Sequence, residues 1–393
     1  MRFYLDSNAT TQLDPQVRAF MEPMLSGAPG NPSSLHAEGR RARGEIDAAR
    51  DSLAAWLGGK PSEIIFTGGG TESCNLAILG LARAHRGRHL ITAQTEHHAV
   101  LHAFQALETC ENFAVTYLAV DEDGLIDPDE LAQAILPETS LVSIMSANNE
   151  TGVCQPMREI GEICSRRDIL FHTDAVQSAG KAELAPSAWQ VSALSLAAHK
   201  FHGPLGAGLL WLKNGIPLCR LMEGGAQENE RRPGTENAAA IAGLAEAARL
   251  HGSVDRTEAA RQFRWIEALW QELRPLGGVR RNGHARHRVP NTLNLSFQGL
   301  HGEDLLIALD LAGLAVSSGS ACLVGSVQPS HVLAAMGAPS ADATVRFSIG
   351  PEIPDSALPE IARRIKEVVI YQRELRGWFP AENRAPAREI VSA

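Results

Sequence analysis

No two of the six cysteines form a Cys-x-x-Cys pair, and Cys74, Cys110, Cys154, Cys164, Cys219 and Cys322 are scattered along the chain. A zinc ribbon and a secreted disulfide framework are thereby excluded, and most of the thiols are expected to be reduced. No stretch approaches the ~18 apolar residues that span a bilayer. The opening Met1-Arg2-Phe3-Tyr4-Leu5-Asp6 lacks the basic run and apolar core of a signal peptide, so a cytoplasmic protein without a membrane partner is expected. Basic residues are also short: 36 Lys and Arg against 45 Asp and Glu leave a net charge of -9, which repels phosphate backbones and argues against direct nucleic-acid binding. There is no Gly-x-Ser-x-Gly elbow and no His-Glu-x-x-His, so serine hydrolase and zinc protease chemistry find no support. The 35 glycines and 21 prolines follow no repeat, and with 44% hydrophobic and 21% charged residues the composition is that of a globular chain. Its 393 residues suffice for two or three packing units.

Between residues 60 and 215, short apolar runs alternate with longer helical patterns, the signature of an α/β unit with a largely parallel sheet. Seven strands are predicted: Glu63 to Thr67, His89 to Ala93, Ala114 to Ala119, Leu141 to Ala147, Ile169 to Thr173, Val191 to Leu196 and Ala207 to Leu212. Ahead of them His36 to Leu57 reads as a helix, with Ile46, Ala49, Leu53, Ala54 and Leu57 on one stripe. A polar stretch from Glu223 to Gly234 leads into Ala-rich helices, and a second mixture of strands and helices follows. The predicted organisation is an N-terminal segment 1–15 packing with the small domain, a large domain 16–258, a smaller α/β domain 259–376 and a frayed tail 377–393.

Three places carry candidate chemistry. Gly68-Gly69-Gly70-Thr71 follows a strand and opens a helix; this suits a phosphate held by free amides, and equally a plain tight turn. Lys200 follows another strand in apolar company, where a lysine is costly unless neutral or covalently used, as in a Schiff base. A surface lysine in a loop is the alternative. Asp174 ends a further strand at its carboxyl edge. It suits either a helix cap or, with Lys200 and a phosphate cradle, the carboxylate that keeps a pyridine nitrogen protonated in pyridoxal phosphate. Cys322, in Ser317-Ser318-Gly319-Ser320-Ala321-Cys322, has the small neighbours of an exposed, reactive loop thiol, although a buried structural cysteine also fits. His97, His98 and His102 have metal-like spacing without an acidic or thiol partner, and no metal is expected.

Taken together, these motifs closely resemble the cysteine desulfurases of the NifS/IscS type, pyridoxal-phosphate enzymes of the class V aminotransferase fold. The resemblance runs from Tyr4 to about Ile349. It includes Ala9-Thr10-Thr11, Gly30-Asn31-Pro32-Ser33-Ser34-Leu35-His36, Thr95-Glu96-His97, Asn148-Asn149-Glu150-Thr151-Gly152, His172-Thr173-Asp174-Ala175-Val176-Gln177-Ser178, His199-Lys200, Gly234-Thr235-Glu236-Asn237, Gly319-Ser320-Ala321-Cys322 and Arg346-Phe347-Ser348. It implies the fold type I of pyridoxal-phosphate transferases, a homodimer, and conversion of L-cysteine to L-alanine. It further implies a persulfide on Cys322 that feeds a sulfur acceptor such as an iron-sulfur scaffold.

The resemblance also assigns roles. Lys200 is the cofactor-binding lysine that moves the Cα proton, Asp174 pairs with the ring nitrogen, Gln177 with the ring hydroxyl, and His97 stacks on the ring. Gly70, Thr71 and His199 contact the phosphate, and Thr235 reaches the cofactor of the partner subunit. Asn149 and Arg346 orient the substrate, Arg346 by a two-pronged grip on its carboxylate. In most relatives a serine stands where this chain has Ala197, so one hydroxyl donor to the phosphate is missing here.

Overall fold

The computed structural model describes residues 1–318, 330–339 and 341–379. Its strands are β1 (Phe3–Tyr4), β2 (Ile64–Thr67), β3 (His89–Ala93), β4 (Ala114–Leu118), β5 (Thr139–Ser143), β6 (Leu170–Asp174), β7 (Ala193–Ala197), β8 (Gly208–Leu212), β9 (Val279–Asn282), β10 (Thr292–Phe297), β11 (Leu314–Ala315) and β12 (Ala343–Ser348). The helices are α1 (Pro15–Ser26), α2 (Ala37–Trp56), α3 (Gly70–Ala84), α4 (His98–Glu111), α5 (Pro128–Ala134), α6 (Met157–Arg166), α7 (Ala238–His251), α8 (Arg256–Leu273), α9 (Gly302–Leu311), α10 (His331–Ala335) and α11 (Leu358–Leu375).

All seven strands expected before residue 215 form, and they join in one sheet in the order β2-β8-β7-β6-β5-β3-β4. Their near-continuous apolar composition is what a sheet covered on both faces requires. One core cluster, with Ile46 and Leu53 of α2 and Leu244 of α7, covers one face, and a second, with Leu76, Ile78 and Phe104 of α3 and α4, covers the other. Only β8 runs against its neighbours, pairing antiparallel with both β7 and β2. Two reversals cancel, so β2 points the same way as β7, and the carboxyl ends of β2, β3, β5, β6 and β7 all open on one edge.

Helix starts follow local chemistry. Asp14 accepts amide hydrogens from Gln16 and Val17 to cap α1, whose first residue is Pro15. Asn237 caps α7 by accepting from the Ala240 amide. The Ala-rich run ending at Leu273 is two helices, because Asp255 starts α8 afresh.

A second core belongs to the C-terminal region, where the antiparallel sheet β12-β10-β9 packs with α8, α9 and α11. Phe3 and Leu5 join this core, and β1 pairs parallel with β11 through Phe3 and Leu314. In this sheet the sequence pattern predicts strands at Leu293 to Phe297 and Val345 to Ile349, which are β10 and β12, and none at β9. It is an edge strand of sequence Val-Arg-Arg-Asn, and Arg281 bonds Glu267 at 2.9 Å, so no apolar alternation marks it. The tail also departs from expectation at its start. Trp378 lies under the Arg373 guanidinium at 4.1 Å and donates its backbone N–H to the Arg373 carbonyl, so packing continues past residue 377. Residues 380–393 lie outside the described residues.

His172, in the middle of β6, is fully buried between Ser143 Oγ at 2.8 Å and Ser195 Oγ at 2.9 Å. Burial pushes its pKa down to about 3. The unfolded chain therefore takes up a proton near pH ~6.5 that the folded chain refuses, so this stability is complete above that pH and is lost as pH falls toward 3. The expected slope from this residue is about 1.4 kcal/mol per pH unit near pH 5. Urea unfolding of wild type and His172→Gln at pH 7.5, 6 and 5 measures it, and parallel pH dependences for the two proteins would refute it.

Candidate active site

The carboxyl edge of the sheet opens on a cavity of about 370 Å³. Its wall holds Gly70, Thr71, His97, Asn149, Asp174, Gln177, His199, Lys200 and Arg346. Apart from Arg346, they arrive from five connections of the sheet. Gly70 and Thr71 follow β2, His97 follows β3, Asn149 follows β5, Asp174 and Gln177 follow β6, and His199 and Lys200 form the turn after β7. Crevices beyond the carboxyl ends of parallel strands are where such sheets bind ligands, because loops there converge without blocking one another.

At one end of the cavity, α3 begins at Gly70 with no side chain capping it. Its first amides are thus available to an anion, with the helix dipole in support. Gly69 has φ +153°, and a β-carbon on Gly70 would stand 2.8 Å from Val176 Cγ2, so a side chain there would close the cradle. Beside it His199 Nδ1 meets Thr10 Oγ1 at 3.2 Å, and burial with the nearby charges of Lys200 and Lys181 depresses its pKa to about 4. Ala197 lines the same wall with a methyl group.

In the middle, Asp174 accepts the Val176 amide hydrogen on Oδ1 at 2.9 Å and is 7% exposed. His97 caps α4, its Nδ1 accepting the Ala99 amide hydrogen at 3.1 Å. Burial lowers its pKa, and with Nδ1 used as an acceptor the neutral ring carries its proton on Nε2. Lys200 Nζ donates to the carbonyls of Asn8 and Ala9 at 2.7 and 2.8 Å.

Arg346 enters from β12, on the second core, and is 2% exposed. Nη2 donates to Asp6 Oδ1 at 2.6 Å and Nη1 to the Asn149 carbonyl at 2.9 Å. Two polar atoms of this wall are buried with no hydrogen-bond partner, Arg346 Nε and Asn149 Oδ1. Buried polar atoms are rarely left unsatisfied, so the wall has the form of a site awaiting polar groups.

Thr235 does not join this cavity; it lines a separate one with Gly68, Arg232 and Asn237. Cys322 lies outside the described residues. Sequence reasoning missed Asn8, whose carbonyl accepts from both Lys200 and Gln177 while its Nδ2 donates to Thr292 Oγ1 at 2.8 Å. Its position beside Ala9-Thr10-Thr11 was the only signal. Of the three histidines, His98 stacks on His102 with ring centroids 4.9 Å apart and also meets the tilted ring of His331 at 4.6 Å, while His97 lies 6.4 Å from His98.

A partly buried lysine, a buried carboxylate and an uncapped helix start converge on one sheet edge, an arrangement that fits an enzyme working through pyridoxal phosphate. The sequence pattern of the class-V aminotransferases matches residues 3–356, and the chain belongs to that family. The cysteine desulfurase IscS of Dictyoglomus turgidum is 44% identical over 352 residues, covering 88% of this chain and 89% of that one. Among solved structures, a NifS-like protein superposes with a TM-score of 0.88 at 34% identity, over 94% of this chain and 100% of that one. The structure of SspA in complex with cysteine gives a TM-score of 0.79 at 36% identity, over 89% of this chain and 99% of the other. The cofactor of the family, pyridoxal 5'-phosphate, fits the wall just described: the uncapped α3 start suits its phosphate and Asp174 its ring nitrogen.

Proposed function

We propose that this cavity desulfurates L-cysteine, with Lys200, Asp174, His97 and Arg346 in the working roles. The observation that carries the reading is the convergence of Lys200, Asp174 and the uncapped start of α3 on one cavity. Pyridoxal phosphate supplies a sink for the electron pair left at Cα when the Cα proton departs. Gly70, Thr71 and His199 hold the phosphate, Asp174 the ring nitrogen, and Gln177 the ring hydroxyl, while His97 packs over the ring. Asn149 Oδ1 and Arg346 Nε, both buried and unpartnered, receive the polar groups of the bound amino acid. Arg346 fixes the carboxylate by charge-assisted hydrogen bonds while Asp6 holds the guanidinium in place. Lys200 Nζ takes the Cα proton.

The Cys322 thiolate then attacks the substrate sulfur. A sulfur–sulfur bond forms as the Cβ–S bond breaks with its electron pair left on carbon, Cβ gains a proton, Lys200 returns the proton to Cα, and the products are alanine and a Cys322 persulfide. Atoms balance without an external oxidant. The persulfide passes its outer sulfur to an acceptor, such as an iron-sulfur scaffold protein. The working form is a cytoplasmic homodimer in which Thr235, away from its own chain's cavity, serves the cofactor of the partner subunit. No helix among the described residues is long and apolar enough to cross a membrane. The holoprotein given L-cysteine and a dithiol is expected to release alanine and sulfide in equal amounts. Release of alanine without sulfide, or of neither, would reject the assignment.

A further inference from the structure

A second lysine stands beside the site without lining it. Lys181, seven residues beyond Asp174, donates from Nζ to Gln177 Oε1 at 2.8 Å and to Asn8 Oδ1 at 3.3 Å. Both acceptors are neutral amides, and among the described residues no carboxylate forms an ion pair with Lys181. The same two residues tie it to the active lysine: Gln177 Nε2 donates to the Asn8 carbonyl at 2.9 Å, and that carbonyl also accepts from Lys200 Nζ at 2.7 Å. Lys181 and Lys200 also share the wall of another cavity of about 370 Å³, which reaches His202, His251, Asp255 and Glu258.

A lysine held by neutral amides is an expensive way to fasten two side chains, since an uncompensated ammonium out of water is costly and a neutral group would fasten them as well. What a lysine adds is charge. We propose that Lys181 is a positioning residue of the cofactor site, which aims Gln177 and Asn8 and whose charge opposes positive charge on the Lys200 nitrogen. Burial, then the charges of Lys200 and Arg346, bring the Lys181 pKa down to about 7, so its charge responds to pH in the working range. The other titratable groups facing it are His199 and His202, both depressed to about 4 and so neutral there, and His251, Asp255 and Glu258 across the second cavity. A positive Lys181 disfavours positive charge on Lys200 Nζ and leaves that nitrogen able to accept the Cα proton; loss of the charge makes it more basic.

The inference rests on the pyridoxal-phosphate reading, and spectrophotometry separates the two. The visible band of the bound cofactor changes with pH as the lysine nitrogen joined to it gains or loses its proton. In Lys181→Gln holoenzyme, which keeps an N–H donor and loses the charge, the midpoint of that change is expected to rise by about one pH unit. In Lys181→Arg, which keeps the charge permanently, it is expected at or below the wild-type value. Coincident midpoints for wild type and Lys181→Gln would overturn the role of Lys181 and leave the cofactor reading intact. A wild-type protein that shows no cofactor band would overturn the cofactor reading itself. Should Lys181→Gln fail to fold, wild type alone decides: two nitrogens titrating against each other flatten the curve, and a clean one-proton curve would overturn the proposal.

Discussion

Lys200→Ala is expected to abolish alanine formation from cysteine while the protein stays folded. The turn that carries Lys200 is set by strand β7 and by backbone bonds such as Phe201 N–H to the Ala198 carbonyl, none of which uses the lysine side chain. Removing it deprives the Asn8 and Ala9 carbonyls of a donor, and the Asn8 carbonyl keeps the one from Gln177. That loss is worth about 1–3 kcal/mol, too little to unfold a domain of this size. The chemical loss is far larger. In the proposed function Lys200 Nζ is both the attachment point and the base for the Cα proton, and a positioned base alone contributes ~10²–10⁴-fold. Alanine release is therefore expected to fall by more than ~10³-fold. Borohydride reduction of wild type followed by peptide mapping should place the cofactor on Lys200. Finding it on Lys181, the other lysine bonded to Asn8, would show that the anchor has been misassigned.

Cys322→Ser should leave a different signature. An alkoxide is not available at neutral pH and an alcohol is a poor nucleophile toward sulfur, so persulfide formation and alanine release should stop. The residues that bind cofactor and substrate are untouched, because Asp174, His97 and Arg346 are held by Val176, by Ala99 and by Asp6 and Asn149. Adding cysteine to the variant should still change the cofactor spectrum, with no sulfide produced. Desulfuration at the wild-type rate would remove Cys322 from the mechanism. A spectrum unmoved by cysteine would instead mean that the substitution has disturbed substrate binding. The two substitutions are separable because one removes the group that moves the proton and the other the group that takes the sulfur.

What the linear sequence determined by itself is local. Alternating apolar runs specified the seven strands of the main sheet, since a strand covered on both faces must be apolar almost throughout. Gly69 and Gly70 marked the cradle, because no other residue leaves its backbone as open to a ligand. Lys200 and Asp174 were legible for the same reason: charges at the ends of apolar strands are costly unless they are used. Family resemblance supplied Arg346 and Gln177, which no spacing or periodicity singled out.

Only the tertiary structure decided how distant segments meet. Arg346 comes from β12, on the second core, and reaches Asp6 across 340 positions of chain. Asn8 bonds Lys200 across 192. Neither pairing leaves a periodic trace, because contacts between remote segments depend on how two cores close on each other and not on local propensity. The same holds for Lys181. In sequence it is one lysine after a glycine; in the fold, packing removes its water and leaves it two amides for company, and that desolvation turns a common surface residue into a charge beside the reacting nitrogen.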